Sequence, residues 1–174
     1  MMPSTPHIRP ANVEDAQAIA AIYAHHVLYG TASFDTEPRT EQETAERIAD
    51  ISSRGWPFIV AEVEGEVLGY AYATQFRDRP AYAATCENSI YIRADCVGRG
   101  IGSVLLAQLV VLAKAAGFRQ MIAVVGGGEP PSIALHARQG FVHAGRMKAV
   151  GHKFGRWLDT VYMQRDLIDA GASD

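Results

Sequence analysis

The chain has 174 residues, 48% hydrophobic and 20% charged, a composition that suits one soluble globular domain (1–174) with a substantial core. A net charge of −3 with both signs interspersed gives no footprint for nucleic acid. The apolar run 104–112 contains Gln108 and is too short to cross a bilayer, and the opening Met-Met-Pro-Ser-Thr-Pro-His lacks the order of a secretion signal. No membrane partner and a cytoplasmic location are therefore expected, with Cys86 and Cys96 as free thiols because they flank a single predicted strand.

A short strand at 7–10 leads to Asn12, a candidate N-cap, and to a helix with Val13, Ala16, Ile19, Ala20, Tyr23 and Val27 at helical spacing. Residues 29–39 have no clear period and read as a loop. Thr40-x-x-Glu43 is a capping box that opens a second, polar helix ending near Gly55 and Pro57. Phe58–Val63 and Val67–Phe76 read as strands joined at Glu64-Gly65. A loop over 77–85, a strand over 87–93 and a Gly-rich turn follow, then an apolar helix ending near Gly117. Arg119–Val125 reads as a strand broken by Gly126-Gly127-Gly128. Pro131 opens a short helix that stops at Gly140, and strands over Phe141–Val150 and Trp157–Gln164 close the chain. The order β-α-α-β-β-β-α-β-α-β-β implies a mixed α/β, or α+β, domain around one sheet.

The Gly-rich turn, Val97-Gly98-Arg99-Gly100-Ile101-Gly102, is the most informative segment. Glycines after a strand let the backbone approach a ligand, and the helix that follows presents unpaired N–H groups and a positive dipole end. Together they suit an anion such as a diphosphate. No Lys follows the glycines as a nucleotide P-loop requires, and Ser103 stands where a dinucleotide fingerprint needs its third Gly.

This element order and turn resemble the GCN5-related N-acetyltransferase (GNAT) family, whose turn reads Gln/Arg-x-x-Gly-x-Gly/Ala; Val97 departs from its first place. Ser132-Ile-Ala-Leu-His136-Ala-Arg-Gln-Gly140-Phe141 resembles the family's second cofactor-contacting helix. Glu87-Asn-Ser-Ile-Tyr-Ile92 and Gly151-His-Lys-Phe-Gly-Arg-Trp-Leu-Asp159 resemble segments of phosphinothricin and methionine sulfoximine/sulfone acetyltransferases. The resemblance spans the first helix to Met163. It implies a mostly antiparallel twisted sheet of about seven strands flanked by about four helices, acetyl-CoA as donor, the primary amine of a small amino-acid analogue as acceptor, and a homodimer. The apolar helix 104–116 and the C-terminal aromatic hairpin are the candidate dimer surface.

Amine acetylation needs a base, a polarised thioester carbonyl and a proton for the departing thiolate. Glu87 is the candidate base, since a carboxylate heading an apolar strand gains basicity by desolvation; the alternative is an edge residue paired with Arg79 or Arg93. His136 stands where many relatives place a proton-donating tyrosine, the alternative being a core or capping histidine. Arg77 and Arg79 suit an acceptor's anionic group, or else belong to a solvated loop. Phe34 and Tyr82 are expected to wall the acceptor pocket, and Asn88 and Ser89 to complete it. The resemblance further implies that the backbone of Ile90, Tyr91 and Ile92 pairs with the pantetheine arm, and that Gly98, Arg99, Gly100, Ile101, Gly102 and Ser103 hold the diphosphate, with Ser132 a further contact. Glu129 replaces the amide of the family's Asn-x-x-Ser, and Gly126–Gly128 is unusually loose, which bears on donor affinity. His25-His26 lacks further ligands at sensible spacing, so no metal is expected. The competing functions are acetylation of a peptide N-terminus or polyamine, and a non-catalytic acetyl-CoA sensor.

Overall fold

The computed structural model describes residues 4–169, so the reading of Met1 to Pro3 lies outside the described residues. Within them the elements run β1 (His7–Pro10), α1 (Ala16–Tyr29), α2 (Glu41–Ser53), β2 (Phe58–Val63), β3 (Glu66–Gln75), β4 (Thr85–Ile92), α3 (Ile101–Ala115), β5 (Gln120–Gly126), α4 (Pro130–Arg138), β6 (Val142–Lys153) and β7 (Arg156–Asp166). All seven strands form one sheet in the order β1-β2-β3-β4-β5-β7-β6. Only β4 and β5 pair in parallel, as expected for strands joined through the crossover helix α3.

Local chemistry sets the boundaries. Asn12 accepts from the Glu14 N–H while Asp15 accepts from the Asn12 N–H, and Arg9 grips the Asp15 carboxylate with two bonds of 2.8 Å. Thr40 and Glu43 close the expected capping box on α2. Glu64-Gly65 turns the β2–β3 hairpin with positive φ at both residues. Phe154-Gly155 does the same between β6 and β7, which lets that hairpin run past the predicted ends of its strands.

The sheet separates two cores. On one side Leu105, Leu106 and Leu109 of α3 pack against Cys86, Met121 and Ala123. On the other, Ile19, Tyr23 and Val27 of α1 and Ile48 and Ile51 of α2 cover Val60, Tyr70 and Tyr72. Val13, expected on the buried face of the first helix, is exposed because it sits in the 3-10 turn before α1. The apolar face of α3 is inside the core, which corrects the expectation that it supplies a dimer surface; of its large side chains only Val104 and Val111 are exposed. By contrast the β6–β7 hairpin exposes Val142, Met147, Val150, Phe154 and Trp157. Both cysteines are buried free thiols, and burial pushes the Cys86 thiol up to about 12. Among the described residues no helix is long and apolar enough to cross a membrane.

Candidate active site

The site begins where a ladder stops. β4 and β5 pair from Thr85↔Gln120 to Asn88↔Ala123, yet β4 continues to Ile92 and β5 to Gly126. Beyond Asn88 the two strands splay. The bonds Phe76 N–H to Thr85 O and Arg93 N–H to Leu68 O fix the alternation: odd-numbered residues of β4 bond β3, so even-numbered ones turn their N–H groups toward β5. The Ile90 N–H, which would carry the ladder on, therefore points into the opening. A cleft of about 230 Å³ fills the splay.

Side chains obey the same period. Asn88, Ile90 and Ile92 lie on the α3 face with Cys86, whereas Glu87, Ser89 and Tyr91 lie on the α1–α2 face with Tyr70 and Tyr72. Glu87 lines the cleft, half-buried, and forms no ion pair among the described residues. Arg93 is taken by Asp95 and Glu66, and Arg79 is an exposed residue of the 77–85 loop, so the edge-pair alternative for Glu87 falls away. Burial raises the Glu87 pKa, and the charges of Arg77 and Arg47 pull it back down.

His136 also lines the cleft but is only 2% exposed. Its Nδ1 lies 2.7 Å from the Ser132 carbonyl oxygen and its Nε2 lies 3.2 Å from the Asn88 side-chain oxygen. A carbonyl can only accept, so Nδ1 carries the proton. Burial lowers the His136 pKa against the opposing pull of the Ser132 carbonyl, favouring the neutral ring at pH 7. A neutral Nε2 needs a donor. Rotating the Asn88 amide by half a turn supplies one, and the amide nitrogen as placed is buried without a partner. Both ring nitrogens of His136 are thus engaged; it is at once a core histidine and a wall of the site.

The loop between α1 and α2 forms the opposite wall. Lys153 ties it down by donating to the Gly30 and Ser33 carbonyls, and Tyr23 bonds Ser33 and Asp35. The glycine run 126–128 is less loose than the sequence suggests. A Cβ at Gly126 would meet the Thr31 and Ala32 carbonyls, and one at Gly127 the Thr31 side chain. These glycines let the loop, with Phe34, sit against the end of β5. Glu129 accepts a hydrogen bond from the Thr31 hydroxyl at the cleft wall.

At the start of α3, Gly98 and Gly100 have φ of 83° and 81°, a conformation costly for other residues. The first helical bond there runs from Val104 N–H to Gly100 O, so the N–H groups of Ile101, Gly102 and Ser103 remain available to an anion. Gly102 instead gives clearance: a Cβ would meet Leu135 of α4 at 3.3 Å.

The cleft thus gathers Phe34, Glu87, Asn88, Ser89, Ile90, Tyr91, Ser132 and His136. Ile92 ends the strand, its carbonyl accepting from His26 Nε2 at 2.7 Å, so His26 is a backbone anchor. Residues 98–103 form a separate cradle. Arg77, Arg79 and Tyr82 sit in the 77–85 loop outside the cleft walls, Arg77 over the Phe76 ring and Tyr82 edge-on to it. Among the described residues no cluster of three metal-binding side chains occurs. The sequence reading missed Arg47; its signal was a place on the flank of the buried Thr44–Ile48–Ile51 stripe of α2.

Comparison with known proteins agrees with this geometry. The model of the acetyltransferase (GNAT) domain matches residues 8–162. A phosphinothricin N-acetyltransferase of Alcaligenes faecalis is 50% identical over 161 residues, 92% of this chain and 82% of that protein. An L-methionine sulfoximine/L-methionine sulfone acetyltransferase of Pseudomonas aeruginosa is 42% identical, covering 92% and 94% respectively. The crystal structure of a GNAT superfamily phosphinothricin acetyltransferase from Sinorhizobium meliloti, in complex with AcCoA, superposes with a TM-score of 0.94 at 48% identity, over 98% of this chain and 93% of that one. A splayed β4–β5 pair, a glycine cradle opening α3 and half of its residues shared with a named N-acetyltransferase all say the same: the chain belongs to the GNAT acetyltransferase family and is an N-acetyltransferase.

Proposed function

We propose that the protein transfers the acetyl group of acetyl-CoA to the primary amine of a small amino-acid analogue of the phosphinothricin or methionine sulfoximine/sulfone class. The observation that carries this reading is the broken ladder, which aims the Ile90 N–H into a cleft walled by Glu87. In this reading the diphosphate rests on the N–H groups of residues 101–103, with Arg99 beside it, and the pantetheine arm continues the ladder along Ile90, Tyr91 and Ile92. The Ile90 N–H then polarises the thioester carbonyl. An α-amino group is mostly protonated at pH 7, and Glu87, with a raised pKa, takes its proton. His136 returns a proton to the departing thiolate only in its charged form and only by giving up Asn88, so its contribution fades as pH rises. Every proton and charge in this scheme has a protein group assigned to it, so no metal enters.

The names of the relatives support the acceptor class, and the AcCoA complex supports the donor. The exposed apolar side chains of the β6–β7 hairpin, with Trp157 at 69% and Phe154 at 52%, support a homodimer through that hairpin, checked by analytical ultracentrifugation. Two buried free thiols suit a reducing cytoplasm. The deciding experiment is a thiol-release assay with acetyl-CoA against phosphinothricin, methionine sulfone, methionine sulfoximine, a peptide and spermidine. Release with the first three supports the proposal. Release only with peptide or spermidine, or with none, overturns it.

A further inference from the structure

Arg47 is a cation without an anion. It projects from the middle of α2, held in place by the capped start of that helix and by Thr44, Ile48 and Ile51, which are buried on the same side. The guanidinium is half-buried, lies over the Tyr72 ring at 4.9 Å, and donates from Nε and a terminal nitrogen to the Tyr72 hydroxyl at 3.3 and 3.2 Å. It has no carboxylate partner among the described residues. Nearby cations differ: Arg39 pairs with Asp35 and covers the Tyr23 ring, Arg93 has two acidic partners, and Arg77 and Arg79 stand exposed. A partly desolvated charge bonded only to a neutral hydroxyl is incomplete, and an anion arriving with a ligand completes it.

The register says which anion. Tyr72 pairs directly with Ser89, and Ser89 precedes Ile90, whose N–H faces the cleft. An attacking α-amine must reach the carbonyl at that N–H, and its carboxylate is one carbon away, so the carboxylate falls beside Ser89 and Tyr72. Arg77 lies past the other end, beyond Glu87 and its partner Thr74. The space behind Arg47, lined by Arg39, Tyr23, Tyr70 and Tyr72, is about 10 Å³, too small for a carboxylate. The anion must therefore approach from the cleft.

We propose that Arg47, seated on Tyr72, binds the α-carboxylate of the acceptor and so makes the enzyme selective for free α-amino acids. The proposal rests on the acetyl-transfer reading above. Its test compares wild type, Arg47→Met and Arg47→Lys with L-methionine sulfone and with its carboxamide, which keeps the amine and loses the charge. Removing one charge-assisted contact should raise the acceptor KM for the sulfone by about 10- to 100-fold. The KM for the carboxamide and for acetyl-CoA should stay within about twofold, and Arg47→Lys should fall between wild type and Met. Equal losses with both acceptors, or an unchanged KM for the sulfone, overturn the proposal. Arg47→Lys keeps the charge and helix propensity, so it decides the matter if the Met variant is unstable. Calorimetric binding of methionine sulfone separates the two readings. Arg47-dependent binding without thiol release would sink acetyl transfer and keep the carboxylate site; turnover insensitive to Arg47 would do the reverse; neither binding nor turnover would sink both.

Discussion

The two faces of β4 do different work with the same eight residues. Toward α3 and α4 the even-numbered positions offer Cys86, Asn88, Ile90 and Ile92, which are apolar or amide side chains engaged in packing. Toward α1 and α2 the odd-numbered positions offer Glu87, Ser89 and Tyr91, in the field of Arg47 and Arg77. Because N–H direction alternates with the same period, the positions whose side chains are locked in the core are the ones whose main chain faces the splay. A strand can thus guide a donor with its backbone and meet an acceptor with its side chains, without one task displacing the other. Changes on the odd face should move acceptor terms and the pH profile; changes on the even face, and in the cradle beyond it, should move donor terms and proton return.

Glu87→Gln tests the odd face most severely. Loss of a positioned base should lower kcat about 10²- to 10³-fold near pH 7, narrowing at alkaline pH where the amine is already neutral. In wild type, activity should rise with pH through a pKa above the ordinary carboxylate value. Stability carries the same sign in reverse. A carboxyl whose pKa is raised by folding holds its proton longer in the folded state, so that state loses relative stability as pH rises from the unfolded pKa through the folded one. Glu87→Gln should therefore be more stable than wild type at neutral pH and equal to it at acid pH. Matched pH–rate and thermal-unfolding profiles check both, and a wild-type acid limb that persists in the variant would remove Glu87 from the role.

The even face gives the next effect. His136→Ala should lower kcat about tenfold below pH 6.5, where the imidazolium is populated, and by less above it, since burial lowers the His136 pKa. A donor with a better-leaving thiol should shrink the defect. Equal defects with both donors across the pH range would leave His136 a packing residue.

Local signals made most of the fold legible. Capping boxes at Asn12 and Thr40, the Glu64-Gly65 turn and Pro131 with Gly140 marked where helices and hairpins begin and end, because their chemistry acts within a few residues. The splay could not be read that way. It depends on where the β4–β5 register lapses, a matter of which distant strands flank each other, and Ile90 looks like any other strand isoleucine. Arg47 was hidden for a similar reason: in a polar helix it reads as solvated until Tyr72, 25 residues on, arrives beneath it. The aromatic stretch with Phe154 and Trp157 read equally as core or surface, since a terminal hairpin is covered only when another element packs there.

Gly100→Ala sharpens the contrast from the donor side. Its φ of 81° costs an alanine about 1 kcal/mol, while a Cβ would find open space. The strain should shift the first N–H groups of α3 and raise the acetyl-CoA KM about fivefold, leaving the acceptor KM unchanged.

The smallest effect is also the most diagnostic of how the acceptor wall is held. Gly151, on the edge strand β6, has no Cβ because the Phe34 ring lies where one would be. Gly151→Ala drives that ring off its seat, yet little of the fold depends on it, since the loop stays anchored by Lys153 and by Tyr23 through Ser33. Steady-state kinetics should show an acceptor KM raised about threefold with kcat and the acetyl-CoA KM unmoved, at a cost of about 1 kcal/mol from overpacking. A change confined to the acetyl-CoA KM would instead assign Phe34 to the donor side of the cleft. It would also show that the division drawn by β4 does not extend to the loop that faces it.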